Sequence, residues 1–233
     1  MGRQGQKQAM KGLWRLGLLG AVLILWGCAT PSKTASPPST PPNLPREARQ
    51  LLNDGIRRFR ENDVAGAIDA FTKAVELNPQ LSLAYYARAK ARTRQNDLAG
   101  AMADYTKAVE VEPRLVNAYY FRGLLRAQQG ERDGAMADFT KVLELDPRHA
   151  GASFQRGLLR AQQGERAGAM ADFTKAVDFD PFDAQALFQR GLLRAQQGER
   201  AGAIQDLQEA LKLGIPSPED QAVIRNTLRE LER

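Results

Sequence analysis

The sequence predicts an all-α chain built from helix–turn–helix repeats, and three observations carry that reading. The stretch RGLLRAQQGER at residues 122–132 returns at 156–166 and again at 190–200, each time 34 residues on. Pro79, Pro113, Pro147 and Pro181 keep the same beat. With that proline at unit position 32, small residues recur at position 8 (Gly55, Ala89, Gly123, Gly157, Gly191) and at position 20 (Ala67, Ala101, Ala135, Ala169, Ala203). A fixed period of this length is the signature of a repeat array, in which each unit buries its apolar face against its neighbours.

Taken in order, the chain opens on a polar, positive stretch with Arg3, Lys7, Lys11 and Arg15 and no acid through residue 27. The apolar run LGLLGAVLILW at 16–26 follows. It is too short to span a ~30 Å bilayer, which needs ~20 residues. A positive region followed by an apolar region of this length reads as a signal peptide over residues 1–27. Leu25-Trp26-Gly27-Cys28 resembles a bacterial lipobox, with an aliphatic residue three before the cysteine and a small one just before it. Trp26 departs from the usual small or aliphatic residue at its position. The resemblance implies that Cys28 is acylated and becomes the mature N-terminus, and Ala29 after it implies sorting to an outer membrane. More than one acyl chain, at ~0.8 kcal/mol per buried CH₂, anchors stably. An uncleaved anchor and a thiol buried in a core helix are the competing readings.

Residues 28–45 form a tether. Pro31, Pro37, Pro38, Pro41, Pro42 and Pro45 lie among Ser and Thr, a composition that favours extended polyproline and cannot build a core. The net charge of +6 falls to +2 once the four positive residues of the leader are removed. Nucleic-acid binding, which needs a basic patch in the mature protein, is therefore not expected. One cysteine and one histidine (His149) rule out an internal disulfide and a His/Cys metal cluster within one chain.

The array occupies residues 46–217, in units 48–81, 82–115, 116–149, 150–183 and 184–217. In each, helix A is expected over positions 2–14 and helix B over 18–31. Gly130, Gly164 and Gly198 follow helix A as a C-terminal cap requires. Helix B stops at Asn78-Pro79, Glu112-Pro113, Asp146-Pro147 and Asp180-Pro181, because proline disfavours helix in the residue before it. The fifth unit has Ile215 in place of that proline and Pro216 next. Residues 218–233 read as a capping helix. Ser217 is its N-cap, Pro218 its first residue, and Val223, Ile224, Leu228 and Leu231 its apolar stripe.

Position 24 carries Phe71, Tyr105, Phe139, Phe173 and Leu207, and position 27 carries Ala74, Ala108, Val142, Ala176 and Ala210. Small residues at 8 and 20 with bulk at 24 in five units resemble the tetratricopeptide repeat. That resemblance implies a solenoid wound as a right-handed superhelix, with the first helix of each unit lining a concave face that binds a protein or peptide segment. The implied partner-binding residues are Tyr86, Lys90 and Arg94 in unit two, and Tyr120, Leu124 and Gln128 in unit three. Phe154, Leu158 and Gln162 follow in unit four, and Phe188, Leu192 and Gln196 in unit five. Positions 5 and 9 of that set also read as partial core. The family's carboxylate clamp, with Lys at 5 and Asn at 9, is not carried over. Unit one has Leu52 and Ile56 there, unit three has Phe121 at position 6, and Asn53 is the only partial match.

Two charge columns are internal to the array. Position 7 is Arg88, Arg122, Arg156 and Arg190, and position 23 is Asp104, Asp138, Asp172 and Asp206. Unit one lacks both and has Asp54 and Ala70. The two types come and go together, so an Arg–Asp bridge between helices A and B is expected in units two to five. A second column, Arg58, Arg92, Arg126, Arg160 and Arg194, stands at position 11. It reads either as pairing with acids such as Glu131, Glu165 and Glu199, as stems laid on apolar surface, or as an anion-binding ladder.

No catalytic constellation, phosphate loop or cofactor motif is present in the sequence. The expected protein is a non-enzymatic interaction scaffold, lipid-anchored through Cys28. It would lie in the cell envelope, at the outer membrane facing the periplasm, and could serve the assembly of an envelope, pilus or secretion complex. The competing reading is a self-assembling element, because units three to five are nearly identical.

Overall fold

The computed structural model describes residues 46–215 and 217–233. The signal segment, Cys28 and the tether expected over 1–45 lie outside the described residues, as does Pro216. The described residues form eleven α-helices and no strand. They fall into two compact units, one ending at Pro147 and the other beginning at Arg148.

The first holds three helix pairs: α1 (Arg46–Arg60) with α2 (Val64–Leu77), α3 (Ser82–Arg94) with α4 (Leu98–Val111), and α5 (Val116–Gln128) with α6 (Arg132–Leu145). Within it α2 also packs on α3, and α4 on α5. The second holds α7 (Ala150–Gln162) with α8 (Arg166–Phe179), then α9 (Ala184–Gln197) with α10 (Arg200–Leu213), then α11 (Pro218–Leu231) against α10 and α9.

Helix B begins one residue earlier than expected. In the first two units the reason is local: Asp63 and Asp97 accept from the Gly66 and Gly100 amides and cap α2 and α4. Helix B ends where the prolines require, with Asn78, Glu112, Asp146 and Asp180 as C-caps. After helix A the chain turns through the left-handed region. Gly130, Gly164 and Gly198 serve there with φ near 80°, and in the first two units Asn62 (φ 68°) and Asn96 (φ 65°) take the role. Asparagine is the residue other than glycine that tolerates this conformation best. The sequence reading named only the glycines.

The bulky side chain at position 24 seats against the small residue at position 8 of the same unit. A Cβ placed on Gly123 would come within 2.9 Å of the Phe139 ring, and one on Gly157 within 2.8 Å of Phe173. Both rings are fully buried, and each contributes about 1.5–3 kcal/mol of apolar burial. Small residues here let the two helices approach. The capping helix α11 closes the second compact unit. Ile224 and Leu228 are buried with Leu207, Ile215 and Phe188, while Arg225, Arg229, Glu230 and Glu232 stay exposed. Ser217 accepts from the Asp220 amide and caps it.

Candidate interaction surface and its buried charge clamps

The charge columns fix the helices that carry the surface. In each of units two to five the position-7 arginine grips the position-23 aspartate with two parallel bonds. Nε and Nη2 of Arg88 donate to Asp104 at 2.9 and 2.7 Å. Arg122 does so to Asp138 at 3.0 and 2.7 Å, Arg156 to Asp172 at 2.9 and 2.7 Å, and Arg190 to Asp206 at 2.8 and 2.7 Å. The position-11 arginines arrive at the same carboxylates. Nη1 of Arg92, Arg126, Arg160 and Arg194 each donates to the shared aspartate at 2.7 Å. All four aspartates are buried. Each clamp is thus two guanidinium groups on one carboxylate, spanning helices A and B.

This arrangement corrects the anion-ladder reading of the position-11 column, because those guanidinium groups are engaged inside the fold. They do reach Glu131, Glu165 and Glu199, as looser ion pairs at 3.7, 3.7 and 3.6 Å. The room comes from a glycine column at position 19. A Cβ on Gly134 or Gly168 would lie 3.0 Å from the Arg126 or Arg160 Cδ. A threonine column at position 25 adds a link between units: Arg88 donates to the Thr72 hydroxyl of the preceding unit at 3.2 Å, and Arg122 to Thr106 at 3.5 Å. Both columns were visible as 34-residue periodicities.

Unit one is built differently. With Ala70 in place of the aspartate at position 23 of helix B, Arg58 turns to its own helix, where Nε donates to Asp54 at 2.7 Å, and to the turn after it, where Nη1 donates to Asp63 at 3.3 Å. Arg57 also pairs with Asp54, and with Glu61 at 2.8 Å. The neighbouring guanidinium groups, Arg58 first and then Arg57, hold the Asp54 carboxyl below its ordinary range.

The surface formed by the first helices of the units is uneven. In the first compact unit the Tyr86 ring on α3 meets Tyr105 and, across to α5, Phe121, each at 6.1 Å between centroids. Tyr120 sets its edge to Phe121 at 5.4 Å and also contacts Phe139 at 6.0 Å. The Lys90 ammonium lies 5.5 Å from the Phe121 ring and 5.8 Å from that of Tyr86. The Arg94 guanidinium lies 5.3 Å from the Phe59 ring on α1. Tyr86, Lys90, Tyr120 and Leu124 are half-buried, and Arg94 and Gln128 are exposed. Burial pushes the Tyr86 hydroxyl up and the Lys90 ammonium down in pKa. Phe121 was not among the residues expected on this surface, although the sequence places it next to Tyr120.

In the second compact unit the first-helix surface is more closed. Phe154 is half-buried and contacts Phe173 at 5.9 Å. Leu158, Gln162 and Leu192 are half-buried, and Gln196 is exposed. Phe188 is not a surface residue. It is 1% exposed and belongs to the core that α11 completes, with Leu207, Ile215 and Ile224. The expectation that it binds a partner is corrected accordingly: the capping helix covers the last unit and takes this ring with it.

His149 caps α7, its Nδ1 accepting from the Ala152 amide at 3.1 Å, where the sequence suggested only a turn. Among the described residues no group of three or more His, Cys, Asp or Glu is placed to hold a metal ion. Among them no helix is long and apolar enough to cross a membrane.

Paired antiparallel helices at a 34-residue period, small residues under an aromatic and a proline stop define a repeat scaffold. A model of the tetratricopeptide repeat matches residues 52–114, 120–184 and 154–220, and the chain belongs to that family. Its all-α fold is shared by several solved structures. One is YrrB, described as a TPR protein with an unusual peptide-binding site, at 21% identity over 77% of this chain and 92% of that one, with a TM-score of 0.64. Another is pilF of Pseudomonas aeruginosa, at 17% identity over 79% and 88%, with a TM-score of 0.67. A third is MamA of Desulfovibrio magneticus RS-1, at 18% identity over 73% and 97%, with a TM-score of 0.64. No curated protein matches the chain at a significant level. Proteins of this family serve generally as non-enzymatic scaffolds for protein–protein interaction.

Proposed function

We propose that this protein is a lipid-anchored scaffold of a bacterial cell envelope. It would be held through acylated Cys28 at the outer membrane, facing the periplasm, and would bind a segment of a partner protein on its first-helix surface. The observation that carries the binding part is the patch on α1, α3 and α5. There Tyr86, Phe121 and Tyr120 form a continuous set of rings with Lys90 standing on it, and Arg94 lies over the Phe59 ring of α1. Aromatic and cationic side chains of this kind anchor protein interfaces. YrrB, which shares the fold, is described as having a peptide-binding site of its own. The anchoring part rests on the lipobox-like stretch ending at Cys28 and the proline-rich tether after it. A protein so held can assist assembly of an envelope, pilus or secretion complex without chemistry of its own.

Two experiments test this. Metabolic labelling with a palmitate analogue should mark the full chain and not Cys28→Ala, and the variant should leave the membrane fraction. An unlabelled wild type ends the lipoprotein reading. Crosslinking in native envelopes should then recover a partner with the wild type that is lost in the surface variant Arg94→Glu with Gln128→Glu, at unchanged helicity. Recovery of the same proteins by both, or of the protein itself alone, removes the first-helix surface from the account.

A further inference from the structure

Position 9 is aliphatic in four units, as Ile56, Leu124, Leu158 and Leu192, and a lysine in one. Lys90 is also the exception in the charge pattern. Among the described residues, every other lysine or arginine that is buried or half-buried has a carboxylate within 4 Å. The position-7 and position-11 arginines of units two to five sit on the clamp aspartates, Arg58 on Asp54 and Lys141 on Glu144. Among the described residues no such carboxylate accompanies Lys90, whose ammonium lies against the faces of two rings.

A half-buried ammonium without a counter-ion raises the free energy of the fold. Ring faces recover only part of that. An aliphatic residue would fit, since the equivalent position holds isoleucine in unit one and leucine in units three to five. The missing counter-charge can come from outside, because the side chain stands on the first-helix surface one turn before exposed Arg94. Rings flank the ammonium, so whatever brings the anion also meets an apolar wall.

We propose that Lys90, Tyr86 and Phe121 form a binding site for an acidic, aliphatic segment of a partner protein. A glutamate or aspartate side chain seats on the Lys90 ammonium and a neighbouring aliphatic side chain lies on the Tyr86 and Phe121 rings. Arg94, one turn along α3, meets the next acidic residue of the segment. The anion is a side-chain carboxylate within a continuous segment, since two cations one turn apart match acids spaced along a chain. This assignment rests on the first-helix surface being the one that binds, and it adds which partner chemistry that surface selects.

The test uses the full chain and a fluorescent peptide of alternating glutamate and leucine, acetylated and amidated so that it has no terminal charge. The control peptide has glutamine for glutamate. Wild type should prefer the glutamate peptide by about tenfold or more, as a charge-assisted contact implies. Lys90→Leu should erase the preference and Lys90→Arg should retain most of it. Lys90→Leu should also melt above wild type, since it removes an unpaired charge. A preference absent in wild type, or surviving in Lys90→Leu, overturns the proposal, and so does a Lys90→Leu protein that melts below wild type. None of these results bears on the Arg94→Glu, Gln128→Glu crosslinking experiment. The surface can therefore stand while the acidic-segment assignment falls.

Discussion

Unit one and the four units after it carry the same position-11 arginine, yet they satisfy it in different places. In units two to five the carboxylate is on helix B, buried, and shared by two guanidinium groups that both come from helix A. In unit one it is Asp54 on helix A itself, with a third of its side chain exposed. The first arrangement ties two helices together and, through Thr72 and Thr106, ties units two and three each to the one before. The second ties helix A to itself and to the turn that caps helix B. Among the described residues unit one has no preceding unit to hold, so it can give up the clamp and keep only local neutralisation.

The two arrangements differ most at Asp138. Asp138→Ala leaves Arg122 and Arg126 facing each other in a buried site with no carboxylate, and such a loss costs about 3–5 kcal/mol. Urea titration of the full chain followed by circular dichroism should show it. A midpoint close to wild type would mean that solvent reaches the clamp and that the two arrangements do not differ in kind. The converse change gives unit one the residues of the other units. Asp54→Arg with Ala70→Asp installs the missing clamp in unit one, and the double variant should be more stable than either single one.

Packing gives the next effect in size. Gly157→Ala sets a methyl 2.8 Å from the buried Phe173 ring, and overpacking of this kind costs about 1–3 kcal/mol. Unit two already holds Ala89 at the equivalent place beneath Tyr105, both fully buried, so its helices have adjusted to the methyl. Ala89→Gly should therefore not relieve strain, and should destabilise through the lost contact and the added backbone freedom, by about 1 kcal/mol. Ser153 supplies a smaller test of the same kind. Its hydroxyl is fully buried with no hydrogen-bond partner among the described residues, while units two and three hold Tyr85 and Tyr119 there, in contact with Arg88 and Arg122. Ser153→Ala should leave stability unchanged or raise it, by up to about 1 kcal/mol. A clear loss would show that the hydroxyl is satisfied by water.

These positions show what the sequence makes legible. Period, proline stops and the small-large columns at 8, 20 and 24 state the fold directly, because each is required once per unit and five copies expose the requirement. The Arg–Asp columns were readable for the same reason, since unit one loses both members at once. The second guanidinium on the same aspartate was not. Nothing in spacing separates Arg126 reaching Glu131 from Arg126 reaching Asp138, and the glycine that opens the way, Gly134, reads as a turn-proximal residue until the helices are placed. Phe188 was misjudged because position 5 lies on the boundary between core and surface. Which side it falls on depends on what covers the unit, and only α11 decides it. Lys90 was legible as a cation but not as an uncompensated one, which is a statement about what is missing nearby in space.

The smallest effect belongs to Asp54, and its pH dependence separates the two arrangements. Its folded pKa lies below the ordinary value of 3.8 because Arg58 and Arg57 favour the charged form. A carboxylate of this kind contributes its stability above the ordinary aspartate pKa and loses it as pH falls through the lowered folded value. The difference between wild type and Asp54→Ala should thus be constant from neutral pH down to the ordinary aspartate range and then close as acid is added further. Because Arg57 is exposed and Asp54 and Arg58 keep a third or more of their side-chain surface in water, salt should shrink the same difference at neutral pH. The much larger difference between wild type and Asp138→Ala should survive that salt, since its charges meet away from water. If both differences collapse alike at high salt, the clamp is no better shielded than the surface pairs of α1, and what separates unit one from the others is only the count of its charges.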